Sequence, residues 1–321
     1  MEAFLSLLLC QNLTWILLNH VLIALFDALK KLDHDFWIEL ESTYRERIVQ
    51  RQELYAKHGS KIIVALPGSQ FHFDKHTAIF HNAILGTSAN IRTTEPWQFL
   101  LNNVPEDFTI IQLHPKTGLP TFTAGIACAA VGWNVATKIG KPLHEIHESV
   151  PDYQQMKMSM DRYFTKVTPD KPIQRGSWGI EVGQPLFVQS DDPHFPLRRR
   201  QDPNLALEDL YLHVNWQILR RLPRSQAMAF NYKALFTPVI EFRDEPYIPK
   251  LVATLMKEGK PSIMDYKATY HVEHVALPAF EQWAKEQEEK GLVPPKWNPR
   301  TLDEDPFFPG WHAKWNLSNT G

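Results

Sequence analysis

Cysteine is almost absent from this chain, with only Cys10 and Cys128 among 321 residues. Two cysteines cannot build a disulfide framework or a cysteine-ligated zinc or iron–sulfur centre within the chain. A lone thiolate from Cys128 could ligate a haem iron. However, the segment "AGIACAAVGW" (residues 124–133) reads as a buried strand of small residues, where a cysteine usually only packs.

A charge excess is also missing, since 34 Lys and Arg residues face 36 Asp and Glu residues and the formal net charge is −2. This balance argues against nucleic acid as a partner. Glycines number 14 against 24 prolines, which indicates many conformationally fixed loops. The 44% hydrophobic and 22% charged residues are ordinary for a globular protein of one large or two small domains.

The motifs of several enzyme classes are missing as well. The sequence contains no Gly-x-Gly-x-x-Gly, no phosphate-binding loop, no Gly-x-Ser-x-Gly and no His-Glu-x-x-His. Dinucleotide binding, nucleotide hydrolysis, serine hydrolysis and zinc proteolysis therefore lack their usual signatures. What is present instead is a large aromatic complement of ten Trp, nine Tyr and eighteen Phe. Aromatic side chains suit both a core and the walls of a pocket for a flat ligand.

The N-terminal segment is the longest apolar run, because residues 3–26 carry no charge. About 24 helical residues could span a bilayer. The run is interrupted by polar residues that are costly in hydrocarbon: Gln11, Asn12, Thr14, Asn19 and His20. No Lys or Arg precedes it, so it is a poor secretory signal, and Lys30 and Lys31 follow, which favours a cytoplasmic remainder. A membrane anchor and a buried amphipathic helix both stay open.

Hydrophobic spacing divides the rest of the chain into helices and antiparallel hairpins. Helical periodicity covers residues 33–58, 96–103, 152–167, 247–257 and 274–290. Strand patterns cover residues 61–67, a hairpin over 107–133 and a second hairpin over 209–239. These elements predict an α+β fold. The expected organisation is a hydrophobic segment over 1–28, a main domain over 29–290 and a Pro/Trp-rich tail over 291–321.

Two histidines, His144 and His147, lie three residues apart in "KIGKPLHEIHESVPDY" (residues 138–153). At this spacing two imidazoles can share one face of a helical turn. They could ligate a metal or cofactor, or they could be ordinary polar loop residues. A second pair, His271 and His274, also has helical metal spacing, but it fits the start of a solvated helix.

Four ordered blocks indicate a family: "GWNVATKIGKPLHEIHESVPDY", "SMDRYF", "PIQRGSWGIE" and "WQILRRLPRSQAMAFNYKALFTPV". Through them the chain resembles the α subunit of haem-dependent oxidative N-demethylase, and more closely its fungal relatives, sometimes called the HRQ family. The resemblance covers roughly residues 32–276. It implies an enlarged PAS-like fold, an antiparallel sheet with flanking helices that cups haem b over residues 29–290.

The resemblance also implies a monooxygenase reaction that uses O2. In that family a secondary or tertiary methylamine is oxidised, and formaldehyde and the demethylated amine are released. Electrons would come from NADPH through a separate reductase that carries flavin and an iron–sulfur centre. The expected partners are thus a reductase and a small amine-like substrate.

Individual site residues follow from the matched blocks. His147, in the family's Ile-His-x-x-Val-Pro pattern, is the expected iron ligand, and His144 is the alternative or a supporting hydrogen-bond donor. Cations that could pair with the haem propionates are Arg175, Arg220, Arg221 and Lys138. Candidates for catalytic proton delivery are Tyr163, Asp161 and Gln217. Trp133 and Trp178 could line the haem faces or pack in the core.

One block departs from the family pattern. Where bacterial members tend to have Arg-x-Glu-Arg-Gln, this chain has "HVNWQ" (residues 213–217), so Asn215 and Trp216 replace charged residues. The expectation is a pocket for a larger or less cationic substrate. Two other functions stay open, a PAS-type haem sensor and a non-haem metal protein that uses His144, His147, His271 or His274.

Overall fold

Antiparallel strands dominate the computed structural model, which describes residues 30–31, 38, 43–67, 69, 79–151 and 153–297. The strands are β1 (Lys30–Lys31), β2 (Ile63–Ala65), β3 (Ile79–Asn82), β4 (Thr87–Asn90), β5 (Asp107–Leu113), β6 (Pro120–Ile126), β7 (Ala130–Val131), β8 (Ile173–Val182), β9 (Phe187–Val188), β10 (Leu210–Arg221) and β11 (Met228–Pro238). Seven of them form one sheet in the order β1-β8-β10-β11-β5-β6-β2, with every pair antiparallel.

Helices cover both faces of this sheet. They are α1 (Tyr44–His58), α2 (Pro96–Asn103), α3 (Val135–Lys138), α4 (Leu143–Ile146), α5 (Tyr153–Lys166), α6 (Ile248–Glu258), α7 (Pro261–Lys267) and α8 (Tyr270–Glu289). Short 3₁₀ turns occupy Gly59–Lys61, Phe195–Arg199, Leu207–Asp209 and Val239–Asp244. The predicted α+β class is confirmed, while the PAS-like description stays a prediction.

Both predicted hairpins form. Strands β10 and β11 pair from Tyr211 opposite Pro238 to Arg221 opposite Met228. Their alternating sequences put every second residue on the same face of the sheet. In the other hairpin, β6 ends at Ile126, and Cys128 lies in the bend that follows rather than inside a strand as expected.

Strand β8 lies between the two-residue edge strand β1 and β10, although hydrophobic spacing gave no sign of it. Its sequence "IQRGSWGIEV" contains two glycines and several polar residues, which are poor strand formers in isolation. Pairing with ten residues of β10 provides the hydrogen bonds that its composition does not favour. Helix α7, which follows Lys260 and begins at Pro261, was also not predicted.

The sheet has two unlike faces. On one face, Leu210, Leu212, Val214, Trp216 and Ile218 of β10 are buried in an apolar core with residues of α6 and α8. At about 25 cal/mol per Å² of apolar surface, this core is the main stabilising contribution. On the other face, smaller apolar clusters join the sheet to α4 and α5. The second face holds the candidate site.

The chain after α8 returns to the core, because Val293 is buried and the Trp297 ring contacts that of Tyr247 at 4.8 Å. The first residues of the predicted tail thus belong to the packed domain. The N-terminal segment over 3–26 lies outside the described residues. Within residues 43–297, no described helix is long and apolar enough to cross a membrane.

Candidate functional site

The alternate residues of β10 that point away from the apolar core are polar. They lie opposite residues of the two neighbouring strands. Together they form a surface that we call the polar face: Arg175 and Ser177 of β8, His213, Asn215 and Gln217 of β10, and Tyr232 and Ala234 of β11. Leu219, the next β10 residue on this side, packs with Leu143 and Phe164, which places α4 and α5 over one end of the polar face.

His147 follows α4 directly and is oriented by the turn itself. Its Nδ1 lies 2.8 Å from the carbonyl oxygen of Leu143, so Nδ1 must carry the proton and donate. Nε2 is then the basic nitrogen. Burial lowers the pKa of His147, the Leu143 hydrogen bond opposes this, and the charges of Lys138 and Arg175 lower it further. A neutral imidazole with an oriented lone pair is the form that ligates a metal.

The His147 ring is also held by stacking. It lies 5.3 Å from the Tyr153 ring at an interplanar angle of 12°. His144 is half-buried, and within the described part of the chain its ring makes no hydrogen bond. The structure therefore orients His147 and leaves His144 without comparable support, which makes His147 the better ligand candidate of the predicted pair.

The four predicted cations divide between different places. Arg175 and Lys138 both lie close enough to His147 for their charges to lower its pKa. Lys138 also sits 4.9 Å from the centre of the Trp133 ring. Arg220 lies two residues after Ile218 on β10. Its side chain is therefore on the apolar-core side of the sheet and not on the polar face.

Arg221 has a structural environment that accounts for its burial. Its guanidinium donates to the carbonyl oxygens of Val167, Gln226 and Phe164, which ties the end of α5 to the β10–β11 turn. A side chain committed to three main-chain carbonyls is a poor anchor for a propionate. Neither Arg220 nor Arg221 thus supports the predicted propionate role, and the structure brings only Arg175 and Lys138 to His147.

The three candidates for proton delivery lie on α5 and on the polar face. The Tyr163 hydroxyl is buried with no hydrogen-bond partner among the described residues, and burial raises its pKa to about 12 despite the opposing charge of Arg221. Oδ1 of Asp161 is also buried without a hydrogen-bond partner among the described residues. Burial and the charge of Asp161 both raise the pKa of Tyr153, so Asp161 lies near the ring that stacks on His147. Gln217 lies between Arg175 and Tyr232.

His213 and Asn215 lie in the block that departs from the family pattern, and they share the face of β10 that carries Gln217. The His213 ring stacks on Phe236 at 4.8 Å, and its Nε2 is enclosed without a partner in the described structure. Burial, followed by the charges of Arg198 and Arg47, lowers the pKa of His213 to about 4. Asn215 Oδ1 is likewise enclosed and unpartnered. Strand alternation could have identified both residues, because positions 213, 215 and 217 must lie on the same face of one strand.

Two tryptophans proposed for the pocket lie elsewhere. Trp178 and Trp216 are buried in the apolar core beneath α6 and α8, on the opposite side of the sheet. Trp216, which replaces a charged residue of the family pattern, therefore lies on the core side of β10 and not on the polar face. Trp133 is on the His147 side, where its ring lies 6.3 Å from that of Tyr232.

The alternative metal ligands do not converge. His271 Nδ1 donates to the carbonyl oxygen of Ala268, and His274 Nε2 donates to that of Asp202. No described group of three or more His, Cys, Asp or Glu side chains could hold a bare metal ion. Burial raises the pKa of Cys128 to about 12, so the thiolate that could ligate iron is disfavoured.

The residues on the His147 side do fit a haem. One neutral imidazole can ligate the iron, two nearby cations can pair with carboxylates, and aromatic side chains can contact a flat ring. Within the described ranges, this side holds several buried polar atoms without hydrogen-bond partners: Tyr153 Oη, Asp161 Oδ1, Tyr163 Oη, His213 Nε2, Asn215 Oδ1 and Tyr232 Oη. Buried polar groups are normally satisfied, so these atoms are available to hydrogen-bond a ligand or water.

Comparison with known families agrees with this assignment. The model of the family described as "Haem-dependent oxidative N-demethylase, alpha subunit-like" matches residues 28–71 and 67–277, which is most of the chain and includes every element of the polar face. The family implies a haem cofactor and an oxidative demethylase-like function. This chain belongs to the haem-dependent oxidative N-demethylase α-subunit-like family.

Proposed function

We propose that this protein binds haem b on the polar face, with His147 as the iron ligand, and acts as a monooxygenase related to the oxidative N-demethylases. The observation that supports the proposal is the Nδ1 hydrogen bond of His147 to Leu143, which leaves Nε2 as the basic nitrogen of a neutral imidazole. Metal-ligating histidines commonly donate their other ring N–H to a carbonyl oxygen in this way, which fixes their tautomer. Arg175 and Lys138 would pair with the haem propionates.

When bound, haem supplies the activation of O2 and the oxidation of a carbon next to nitrogen. The chain's own residues would position the substrate and deliver protons. Tyr163 and Asp161 lie near the His147 side, whereas Gln217, Asn215 and His213 line the strand that the substrate would contact. Electrons would come from NADPH through a separate flavin and iron–sulfur reductase, since the 321-residue chain has too few cysteines for such a cluster.

The polar face favours a substrate that is neutral or only weakly cationic. His213 is neutral above its depressed pKa of about 4, and Asn215 carries no charge, so β10 presents no carboxylate to an ammonium group. Both residues can hydrogen-bond a neutral polar group through their enclosed atoms. An N-methyl amide or a weakly basic amine suits them better than a dimethylammonium ion.

Replacing the ligand tests the proposal most directly. Purified full-length protein should show a Soret band, and His147→Ala should lower haem affinity by at least about 100-fold, since even second-shell changes cost 10–100-fold. His144→Ala is the matched control and should bind haem nearly as the parent does. Unchanged haem content and spectrum in His147→Ala, with loss in His144→Ala, would show that the wrong histidine was chosen.

Turnover separates an enzyme from a haem sensor. With a reductase, NADPH and O2, a panel of N-methyl compounds should release formaldehyde, and omission of any component should stop it. A reducible haem that gives neither formaldehyde nor oxygen consumption would favour the sensor.

Three further properties are proposals: relation to fungal proteins, a cytoplasmic location, and membrane anchoring through residues 3–26. Washing membrane fractions with carbonate would test the anchoring.

A further inference from the structure

Strand β8 continues past the polar face, where Gly179 lies opposite His213 and Glu181 lies opposite Tyr211. Residues that lie opposite each other in antiparallel strands project from the same side of the sheet, so Glu181 projects on the side of the polar face. Glu181 is only 3% exposed. A buried carboxylate requires compensating partners, and these come from two elements outside the predicted site.

Arg198, in the 3₁₀ turn Phe195–Arg199, supplies the positive charge. Its Nε donates to Glu181 Oε2 at 3.0 Å and its Nη2 donates to Oε1, a paired geometry that fixes the carboxylate. The same charge reaches the polar face, because it helps to lower the pKa of His213. The turn therefore lies at the His213 end of the polar face, away from the end that α4 and α5 cover.

His271, in the first turn of α8, is the second partner of Glu181. Its Nε2 lies 3.9 Å from Glu181 Oε2, a separation that fits a bridging water, and both side chains are buried. Its Nδ1 donates to the carbonyl oxygen of Ala268, so in the neutral ring Nε2 carries the lone pair. Nε2 has no hydrogen-bond partner among the described residues. A lone pair and a carboxylate that face each other attract only when a proton lies between them.

The surroundings bring the proton affinities of these two groups together. Burial raises the pKa of Glu181, and the charge and hydrogen bonds of Arg198 oppose this. Burial lowers the pKa of His271, the hydrogen bond to Ala268 opposes this, and the charges of Arg198 and His274 lower it further. The two pKa values thus shift toward each other from their ordinary values of 4.5 and 6.5. Groups of similar proton affinity that lie this close titrate as a pair.

Gly179 leaves a space between Glu181 and His213. A Cβ atom on Gly179 would lie 3.8 Å from Glu181 Oε1 and 3.8 Å from the carbonyl oxygen of Lys267. The Lys267 Nζ instead donates to the carbonyl oxygen of Trp178, at 3.2 Å. Opposite Cβ positions of two antiparallel strands are about 4.5–5.5 Å apart, so Glu181 and His213 flank the same small space. One water in this space would bridge them.

We propose that Glu181 and His271 share an exchangeable proton and supply it to the polar face through His213. Only a proton moves: the acid form of Glu181 returns to carboxylate, His213 becomes an imidazolium during the transfer, and the pair takes up another proton from solvent. His213, with its pKa of about 4, releases an added proton readily. Glu181 and His271 are positioning residues, since they act through His213, and their use in oxidation rests on the proposed function.

Histidine ring signals in NMR spectra of the haem-free, full-length protein test the shared proton without turnover. Each signal is assigned by its loss when that histidine is changed to Gln. Glu181→Gln should lower the proton affinity of His271 about tenfold or more, because the carboxylate that favours the protonated ring is lost. Glu273→Gln is the matched control, since Glu273 lies on the same helix but does not face His271, and it should leave that titration unchanged. An unchanged His271 titration in Glu181→Gln would overturn the shared proton.

The parent alone decides the connection to the polar face, even if Glu181→Gln fails to fold. The His213 signal should show a second inflection at the pH where His271 titrates, because the added proton lies just across Gly179. Where Glu181→Gln folds, it should remove that inflection. A His213 signal with no inflection at that pH would overturn the connection.

Gly179→Ala fills the space without changing any charge. Its methyl group would meet its nearest neighbours at 3.8 Å, an ordinary contact, so the variant should fold. With haem, a reductase and a substrate that the parent demethylates, Gly179→Ala and Glu181→Gln should each lower kcat about tenfold and leave KM nearly unchanged, because proton delivery is slowed. Equal kcat in the parent and both variants would overturn proton delivery through His213. A parent that demethylates nothing would refute the proposed function, and the histidine titrations would still decide the shared proton.

Discussion

The two sides of strand β10 carry different kinds of residues. Toward α6 and α8, five alternating apolar residues are buried and packed. Toward α4 and α5, the residues between them are polar, and His213 Nε2 and Asn215 Oδ1 are enclosed without hydrogen-bond partners in the described part of the chain. A single strand thus carries a complete core on one side and an incomplete polar lining on the other.

This difference separates stability from binding. Apolar side chains in a packed core contribute several kcal/mol each and require no ligand. An enclosed polar atom without a partner costs roughly 1–3 kcal/mol, so it destabilises the protein until a ligand or water satisfies it. We expect substitutions on the core side to lower stability, and substitutions on the polar face to change binding.

The largest effect is expected on the core side. Trp216→Ala should lower the free energy of unfolding by about 3–5 kcal/mol, because it leaves a large cavity beneath α6 and α8. Asn215→Leu, one residue earlier on the polar face, is the matched comparison and should change it by less than about 1 kcal/mol, since an unpaired polar group is replaced by an apolar one. Urea unfolding measures the free energy of unfolding of both variants. Equal losses of stability would contradict the distinction between the core side and the polar face.

Arg221 and Arg175 test the same distinction between stability and ligand binding. Arg221→Met should lower stability by about 3 kcal/mol, because three main-chain carbonyls lose their donor. If Arg175 pairs with a haem propionate as proposed, Arg175→Met should cost less stability but weaken haem binding about tenfold, because that charge-assisted pair is lost. Urea unfolding and haem titration of both variants measure these effects. If Arg221→Met lowers haem affinity and leaves stability unchanged, Arg221 is the anchor after all.

The third comparison is the pH dependence of stability that the titration of His213 should produce. Its ordinary pKa of 6.5 falls to about 4 in the folded protein, so between these values the unfolded state takes up the proton first. Stability should therefore fall as the pH drops from 6.5 to 4, by on the order of 3 kcal/mol at most, and then stop responding to this group.

His213→Phe should flatten that slope while keeping the ring stacked on Phe236. His147 and His271 also have lowered pKa values and contribute in the same direction, so the difference between parent and variant isolates His213. A variant with the full slope would mean that His213 is not enclosed as a neutral ring.

The sequence by itself determined the fold class, both hairpins and the family. Periodicity of two along residues 209–239 is enough to predict β10 and β11, because a half-buried strand must alternate. Motif order also led to the prediction of His147 as the iron ligand and of Gln217 as a site residue. It could not distinguish the roles of Arg220, Arg221 and Arg175. An arginine in a motif looks the same in the sequence whether its side chain pairs with a ligand or with the carbonyls at a helix end.

Only the tertiary structure decided which residues share the site. It placed Trp178 and Trp216 in the apolar core and Arg221 on main-chain carbonyls, and it paired the polar strand β8 with β10. It also brought Arg198 and His271, from two different elements, to the buried Glu181. Local patterns predict which face of an element is buried, but the partner of that face depends on sheet order, which is set by contacts between residues far apart in the chain.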